Sequence, residues 1–141
     1  MRAQDIHHIG HAVNDLDPAI DLYERVLGGT LEHRETMPDQ GVEAATMLLG
    51  DARIELLRPL SDDSPVGKFL ANRGPGMHHV ALRVPDIEGA LRDAAVAGAE
   101  LIDTEPRLGL FGLRVAFIHP HSVEGVLVEL VQPPNEESGH G

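Results

Sequence analysis

The chain has 141 residues, 42% of them hydrophobic, enough for one domain with its own core but with no apolar run near the ~20 residues that span a bilayer. Its formal charge of −12, from 11 basic and 23 acidic residues, repels phosphate backbones and argues against general nucleic-acid binding; an anionic ligand would need a local cluster of Lys and Arg. Cysteine is absent, which excludes disulfides and thiolate chemistry, and a strand-like run begins too soon after Met1 for a secretory leader, so the expected location is the cytoplasm.

In chain order, residues 6–13 alternate as a strand. Asp15-Leu16-Asp17-Pro18 supplies a helix N-cap with a proline in the first turn, and Gly28-Gly29 ends that helix. Residues 31–35, 42–49 and 53–59 follow as strands, the last two joined by a turn at Gly50-Asp51. Ser64-Pro65 starts a short helix that Gly74-Pro75-Gly76 terminates. A strand at 78–84 and a helix over 86–97 closed by Gly98 come next, then strands at 100–103, 113–119 and 125–132. The tail 133–141 is polar, rich in small residues and expected to be disordered.

Residues 6–13 and 77–84 carry nearly the same phrase, IHHIGHAV and MHHVALRV. His7-His8 matches His78-His79 at an offset of 71, as do Val13 with Val84, Asp15 with Asp86 and Ala19 with Ala90. A later echo, IELLRP against VELVQP, runs at an offset of 74, the change being one loop insertion. Two copies exclude a solenoid and predict a pair of modules related by a pseudo-twofold, each reading strand, helix, then strands. The expected architecture is α+β, one domain over 1–141, with modules at 6–60 and 77–132 and a linker bearing a short helix at 61–76.

Alternation along the first strand puts His7, Ile9, His11 and Val13 on one face and His8, Gly10 and Ala12 on the other. In the second copy Val80, Leu82 and Val84 oppose His79 and Ala81. The bulky face suits packing against a helix; the face of His8 and His79 has small neighbours and open volume. Glu55 and Glu129 sit mid-strand in apolar runs, where a carboxylate is costly unless exposed, paired or metal-bound. A single strand histidine is ordinarily a hydrogen-bonding core or surface residue, and His7, His11 and His78 read that way. His8, Glu55, His79 and Glu129 read differently, because both copies hold one His and one Glu at equivalent places. Brought together, two imidazoles and two carboxylates suit a divalent ion such as Co2+, Mn2+, Ni2+ or Zn2+, with positions left for water or substrate.

On these residues the sequence resembles the vicinal-oxygen-chelate (glyoxalase-like) superfamily and, within it, the methylmalonyl-CoA epimerase family. The resemblance covers residues 6–133, through HHIGHAVNDLDPAIDLY, QGVEA, IELLRPL, DSPVGKFLANRGPGMHHVALRV, EPRLGLFGLRVAFIHPHS and GVLVELVQP. KFLANRGPGMHH, and FIHPHS followed by GVLVEL, are its most specific parts. It implies paired βαβββ modules forming a metal-holding β cup, with His8, Glu55, His79 and Glu129 as ligands, Co2+ foremost as the metal, and a homodimer. The implied activity is an isomerase reaction of propionate metabolism, metal-dependent epimerisation of (2R)- and (2S)-methylmalonyl-CoA. A proton leaves C2, a metal-stabilised enolate forms, and a proton returns to the opposite face.

In that scheme Glu129 doubles as ligand and base, and Glu43 is the other candidate base. Two departures from the family pattern bear on this. Some members carry Gln at the Glu55 position, and some place a Glu where this chain has Ala44. Glu43, one residue away, can serve only if a bulge or register shift turns it to the same face. Lys68, Arg73, Arg107 and Arg114 are the local cations for the CoA phosphates. Gln40 and the segment Leu110, Phe111 and Gly112 are expected at the acyl end, and His121-Ser122 at the carboxylate or phosphates. The rival readings are a lactoylglutathione lyase-like enzyme, which shares the ligand set but not KFLANRGPGMHH, and a non-catalytic small-molecule binder, which has no need of four ligand positions. An extradiol dioxygenase uses two His and one carboxylate, so the second carboxylate speaks against it.

Overall fold

The computed structural model describes residues 2–134, so the expected tail lies outside the described residues beyond Pro134. By internal contacts the described residues divide into two compact units, one of residues 8–78 and one of residues 79–134 together with 2–7.

The first unit holds β1 (Asp5–Ala12) from His8 on, α1 (Leu16–Arg25), β2 (Thr30–Met37), β3 (Val42–Leu49), β4 (Ala52–Pro59) and α2 (Pro65–Arg73). Its strands lie in the order β2-β3-β4-β1, with β1 parallel to β4 and the other pairs antiparallel. Helix α1 starts at Asp15, which takes the cap position without a side-chain cap bond, and carries Asp17 in its first turn and Arg25 in its last, the signs that suit the helix dipole. Leu16, Ile20 and Tyr23 recur on one helical face and pack on Ala45, Met47 and Leu56 of the sheet. Ser64 caps α2, accepting from the Gly67 N–H at 3.1 Å, with Pro65 in the first turn as the sequence signals.

The second unit repeats the plan with β5 (Gly76–Arg83) from His79 on, α3 (Ile87–Val96), β6 (Arg107–Leu108), β7 (Arg114–Ile118) and β8 (Val128–Gln132), ordered β6-β7-β8-β5. Asp86 caps α3 by accepting from the Gly89 N–H. Ile87, Ala90, Leu91 and Ala94 pack on Val84, Ala116, Ile118, Val128 and Leu130. Both units are therefore βαβββ, and the repeat holds residue by residue: Gly10 stands opposite Glu55 in the β1–β4 pair, and Ala81 opposite Glu129 in the β5–β8 pair.

Two expected strands are shorter than the sequence implies. The run 100–103 keeps only a bridge from Leu101 to Ile118. There the Asp103 carboxylate accepts the Phe117 N–H at 2.8 Å while the N–H groups of Ile102 and Asp103 both donate to the Phe117 carbonyl, so a side chain takes the place of the next rung. The third strand forms later, at Arg107–Leu108. Before β8, a 3₁₀ turn at Pro120–Val123 ends in left-handed Glu124 and Gly125, which delays the strand to Val128.

Candidate functional site

Six polar side chains are buried among the described residues: His8, Thr46, Glu55, Ser64, His79 and Glu129. Ser64 is the α2 cap. The other five lie on strand faces turned away from the helices, as alternation dictates: Leu56 and Ala45 face α1, so Glu55 and Thr46 do not; Leu130 and Ala116 face α3, so Glu129 and Phe117 do not.

Within the first unit the His8 Nε2 lies 3.7 Å from a Glu55 oxygen, both side chains about 95% buried. Within the second, the His79 Nε2 lies 3.1 Å from a Glu129 oxygen. The small residues Gly10 and Ala81, opposite the two glutamates, leave room beside each pair. Phe117 pairs across the ladder with Glu129 and sets its ring edge-on to His79 at 5.9 Å; the Arg107 guanidinium lies 5.6 Å from the same ring. Donor atoms bound to one ion at about 2.1 Å stand roughly 3.0–3.4 Å apart in octahedral or tetrahedral geometry. The two His–Glu separations fall at or near that range, and burial of imidazole beside carboxylate is the environment a divalent cation would stabilise. Thr46 Oγ1, across the ladder from Glu55, is buried with no hydrogen-bond partner, a further sign that this face is built for a guest. Sequence reasoning missed Thr46, since one threonine in a strand is unremarkable until its register partner is known.

His11 and His78 each have an aromatic neighbour. His11 faces α1, its Nδ1 2.7 Å from the Tyr23 hydroxyl, and burial lowers its pKa. His78 stacks edge-on with Phe69 at 5.1 Å. Glu100, His119 and His121 form a largely exposed cluster, His119 half-buried, with one potential ligand atom each within 4.8 Å of the others. The His119 Nδ1, however, accepts the His121 backbone N–H at 3.1 Å, which leaves the proton of a neutral ring on Nε2 and no lone pair there for a metal.

Glu43 does not meet the condition set for it. The β3–β4 ladder runs without a register shift from Val42 opposite Pro59 to Leu49 opposite Ala52, so Ala44 shares the face of Thr46 and Glu43 takes the α1 side. There it accepts from Arg34 at 3.0 Å and Arg58 at 3.2 Å, while Arg34 also reaches Asp17 at the start of α1. The Arg34 hydrogen bond, then that of Arg58, holds its carboxyl below the usual carboxylate range. A carboxylate with a depressed folded pKa adds stability above its unfolded pKa and loses it as pH falls through the folded one. Glu43→Gln is therefore expected to cost about 0.5–1 kcal/mol at neutral pH, with the gap to wild type closing on acidification; urea denaturation across a pH series reads it.

The expected substrate contacts lie in three 3₁₀ turns and on α2. In the first, Gln40 ends a 3₁₀ turn (Pro38–Gln40), and Lys68 and Arg73 are exposed on α2, Arg73 with its guanidinium 5.6 Å from the Phe69 ring. Gly41 joins these parts. Its φ of +69° is left-handed, and a Cβ there would come within 2.9 Å of the Ser64 Cβ, so only glycine lets the Gln40 turn approach the start of α2. In the second unit, Leu110, Phe111 and Gly112 form a 3₁₀ turn with Phe111 at φ 59°, ψ 29°, a left-handed conformation that favours glycine and that gathers at functional sites. His121 and Ser122 sit in the Pro120–Val123 turn, where Ser122 Oγ accepts the Glu100 N–H at 2.6 Å. Arg114 is engaged by Glu88 at 3.0 Å and Arg107 by Asp103 at 3.5 Å. No described helix is long and apolar enough to cross a membrane.

The profile of the glyoxalase/bleomycin resistance protein/dioxygenase superfamily matches residues 7–117. The ethylmalonyl-CoA/methylmalonyl-CoA epimerase of Cereibacter sphaeroides is 38% identical over 129 residues, 90% of this chain and 96% of that protein. The crystal structure of methylmalonyl-CoA epimerase from Mycobacterium tuberculosis superposes with a TM-score of 0.90 at 38% identity, covering 97% of this chain and 93% of the other. A variant of Streptomyces coelicolor methylmalonyl-CoA epimerase in complex with 2-nitronate-propionyl-CoA superposes with a TM-score of 0.91 at 36% identity, over 95% and 97% of the two chains. Matched by the superfamily over most of its length and by epimerases nearly end to end, the chain belongs to the methylmalonyl-CoA epimerase family of that superfamily.

Proposed function

We propose that the protein interconverts the 2R and 2S epimers of methylmalonyl-CoA. The observation that carries this reading is the duplicated, buried His–Glu pair at equivalent register positions in a chain of the epimerase family. His8, Glu55, His79 and Glu129 would together hold one divalent ion, Co2+ first, with Mn2+, Ni2+ and Zn2+ as alternatives. When bound, the ion supplies Lewis-acid stabilisation of the negative charge that grows on the thioester oxygen as C2 loses its proton.

The chain's own residues do the rest. Glu129 takes the C2 proton; its strand fixes the carboxylate, and Ala81 leaves room beside it. Lys68 and Arg73 meet the CoA phosphates, Gln40 and the turn of Leu110, Phe111 and Gly112 hold the acyl end, and His121 and Ser122 contact the substrate carboxylate or a phosphate. A water would give a proton to the opposite face, the hydroxide it leaves being neutralised by the proton that Glu129 returns to solvent, since Glu43 is committed to two guanidiniums and faces α1. Accordingly Glu43→Gln is expected to change the exchange rate by less than about threefold, where loss of a true base costs roughly 10²–10⁴. The reading includes a cytoplasmic location and a homodimer; the dimer rests on family resemblance, and sedimentation of the purified chain measures it.

The test follows one epimer of methylmalonyl-CoA in D2O with the protein, with and without a chelator. Metal-dependent entry of deuterium at C2, with appearance of the other epimer, supports the reading. No exchange by fully metallated protein overturns it and leaves the lactoylglutathione lyase-like enzyme or the non-catalytic binder.

A further inference from the structure

Thr46 is a buried hydroxyl with nothing to bind. It is 3% exposed, stands directly opposite Glu55 in the β3–β4 ladder, and shares the face of Glu55 rather than that of Ala45 and Met47. Its Oγ1 is the one buried side-chain polar atom among the described residues without a hydrogen-bond partner. Such an orphan costs roughly 1–3 kcal/mol, and valine would fill the same volume without that cost. Nor does the module plan demand a hydroxyl, since the equivalent position opposite Glu129 is Phe117.

The register supplies the missing acceptor. Side chains directly opposite on one face have Cβ atoms about 4.5–5.5 Å apart, a gap that a hydroxyl and a carboxylate close with one hydrogen bond. A threonine hydroxyl can turn between staggered positions, and an ionised carboxylate accepts at either oxygen. A carboxylate that gives one oxygen to a cation keeps the other for a donor.

We propose that Thr46 is a positioning residue for Glu55: with a divalent ion bound, its hydroxyl donates to the Glu55 carboxylate and fixes which oxygen faces the ion. This rests on the four-ligand reading above. It also accounts for the asymmetry between the modules. Glu55 is a ligand only and gains from being held, whereas Glu129 must also take a proton, and its ladder neighbour Phe117 carries no side-chain donor that would hold it still.

The experiment compares Thr46→Val and Thr46→Ser with wild type by competitive Co2+ titration against a chromophoric chelator, and by thermal melting of the chelated proteins. The expected result is a Co2+ affinity lowered about 10–100-fold in Thr46→Val and within about threefold of wild type in Thr46→Ser. Chelated Thr46→Val should melt no lower than chelated wild type, because the hydroxyl holds nothing in the absence of metal. Wild-type affinity in Thr46→Val overturns the proposal, and so does a chelated Thr46→Val that melts well below wild type, which would make the hydroxyl structural. Wild-type protein that binds no Co2+ overturns the four-ligand reading itself, an outcome the same titration separates from the other two.

Discussion

Glu129→Gln is expected to lower deuterium entry at C2 by about 10²–10⁴ at saturating metal while the protein stays folded. The amide matches the carboxylate in shape and can still face a cation through its oxygen, but it cannot hold a proton taken from carbon. The backbone around residue 129 is fixed independently of that charge, by ladder pairing with Ala81 on one side and Phe117 on the other. Glu55→Gln is the matched control. It removes the same charge from the equivalent register position of the other module, and the family pattern admits Gln there. In the proposed division of labour it changes metal preference and leaves exchange largely intact. Equal losses in both variants would mean that charge at the site, not proton transfer by Glu129, limits the rate.

That experiment depends on a distinction the sequence only half reveals. The repeat was legible because both copies carry it in the same order, HH with small residues and then a glutamate in an apolar run, and the parallel pairs reproduce it at offsets of 71 and 74. Strand 42–49 was legible to the residue, since a mostly apolar run is bounded by Gly41 and by the Gly50-Asp51 turn. The run 100–103 misled because Leu101 and Ile102 look like strand, while the Asp103 side chain that captures the Phe117 N–H acts through space across 14 residues. Period-two reasoning correctly placed Glu43 off the face of Ala44, but its partners Arg34 and Arg58 lie 9 and 15 residues away in sequence and emerge only from the pairing of three strands. Thr46 was hidden for the same reason: its meaning comes from what stands opposite it.

His8→Ala and His79→Ala are each expected to weaken metal binding by more than about 100-fold, beyond the roughly 10–100-fold typical of losing a supporting group around a ligand. The argument turns on number as much as affinity. Each unit contains a complete His–Glu pair, so two ions bound separately, one per pair, is the competing arrangement. A single shared ion predicts one Co2+ per wild-type chain and none held tightly by either single variant or by the double, because both histidines act on one equilibrium. Separate ions predict two per wild-type chain and one retained in each single variant. Stability gives the same answer without an assay of turnover: Co2+ at a hundredfold excess over its dissociation constant raises the unfolding free energy by about 2.7 kcal/mol per site, and a shared site loses that whole increment with either histidine. A His8→Ala protein that still binds one Co2+ tightly and keeps part of the increment would break the four-ligand reading, and the epimerase chemistry would then have to rest on the His79–Glu129 pair alone.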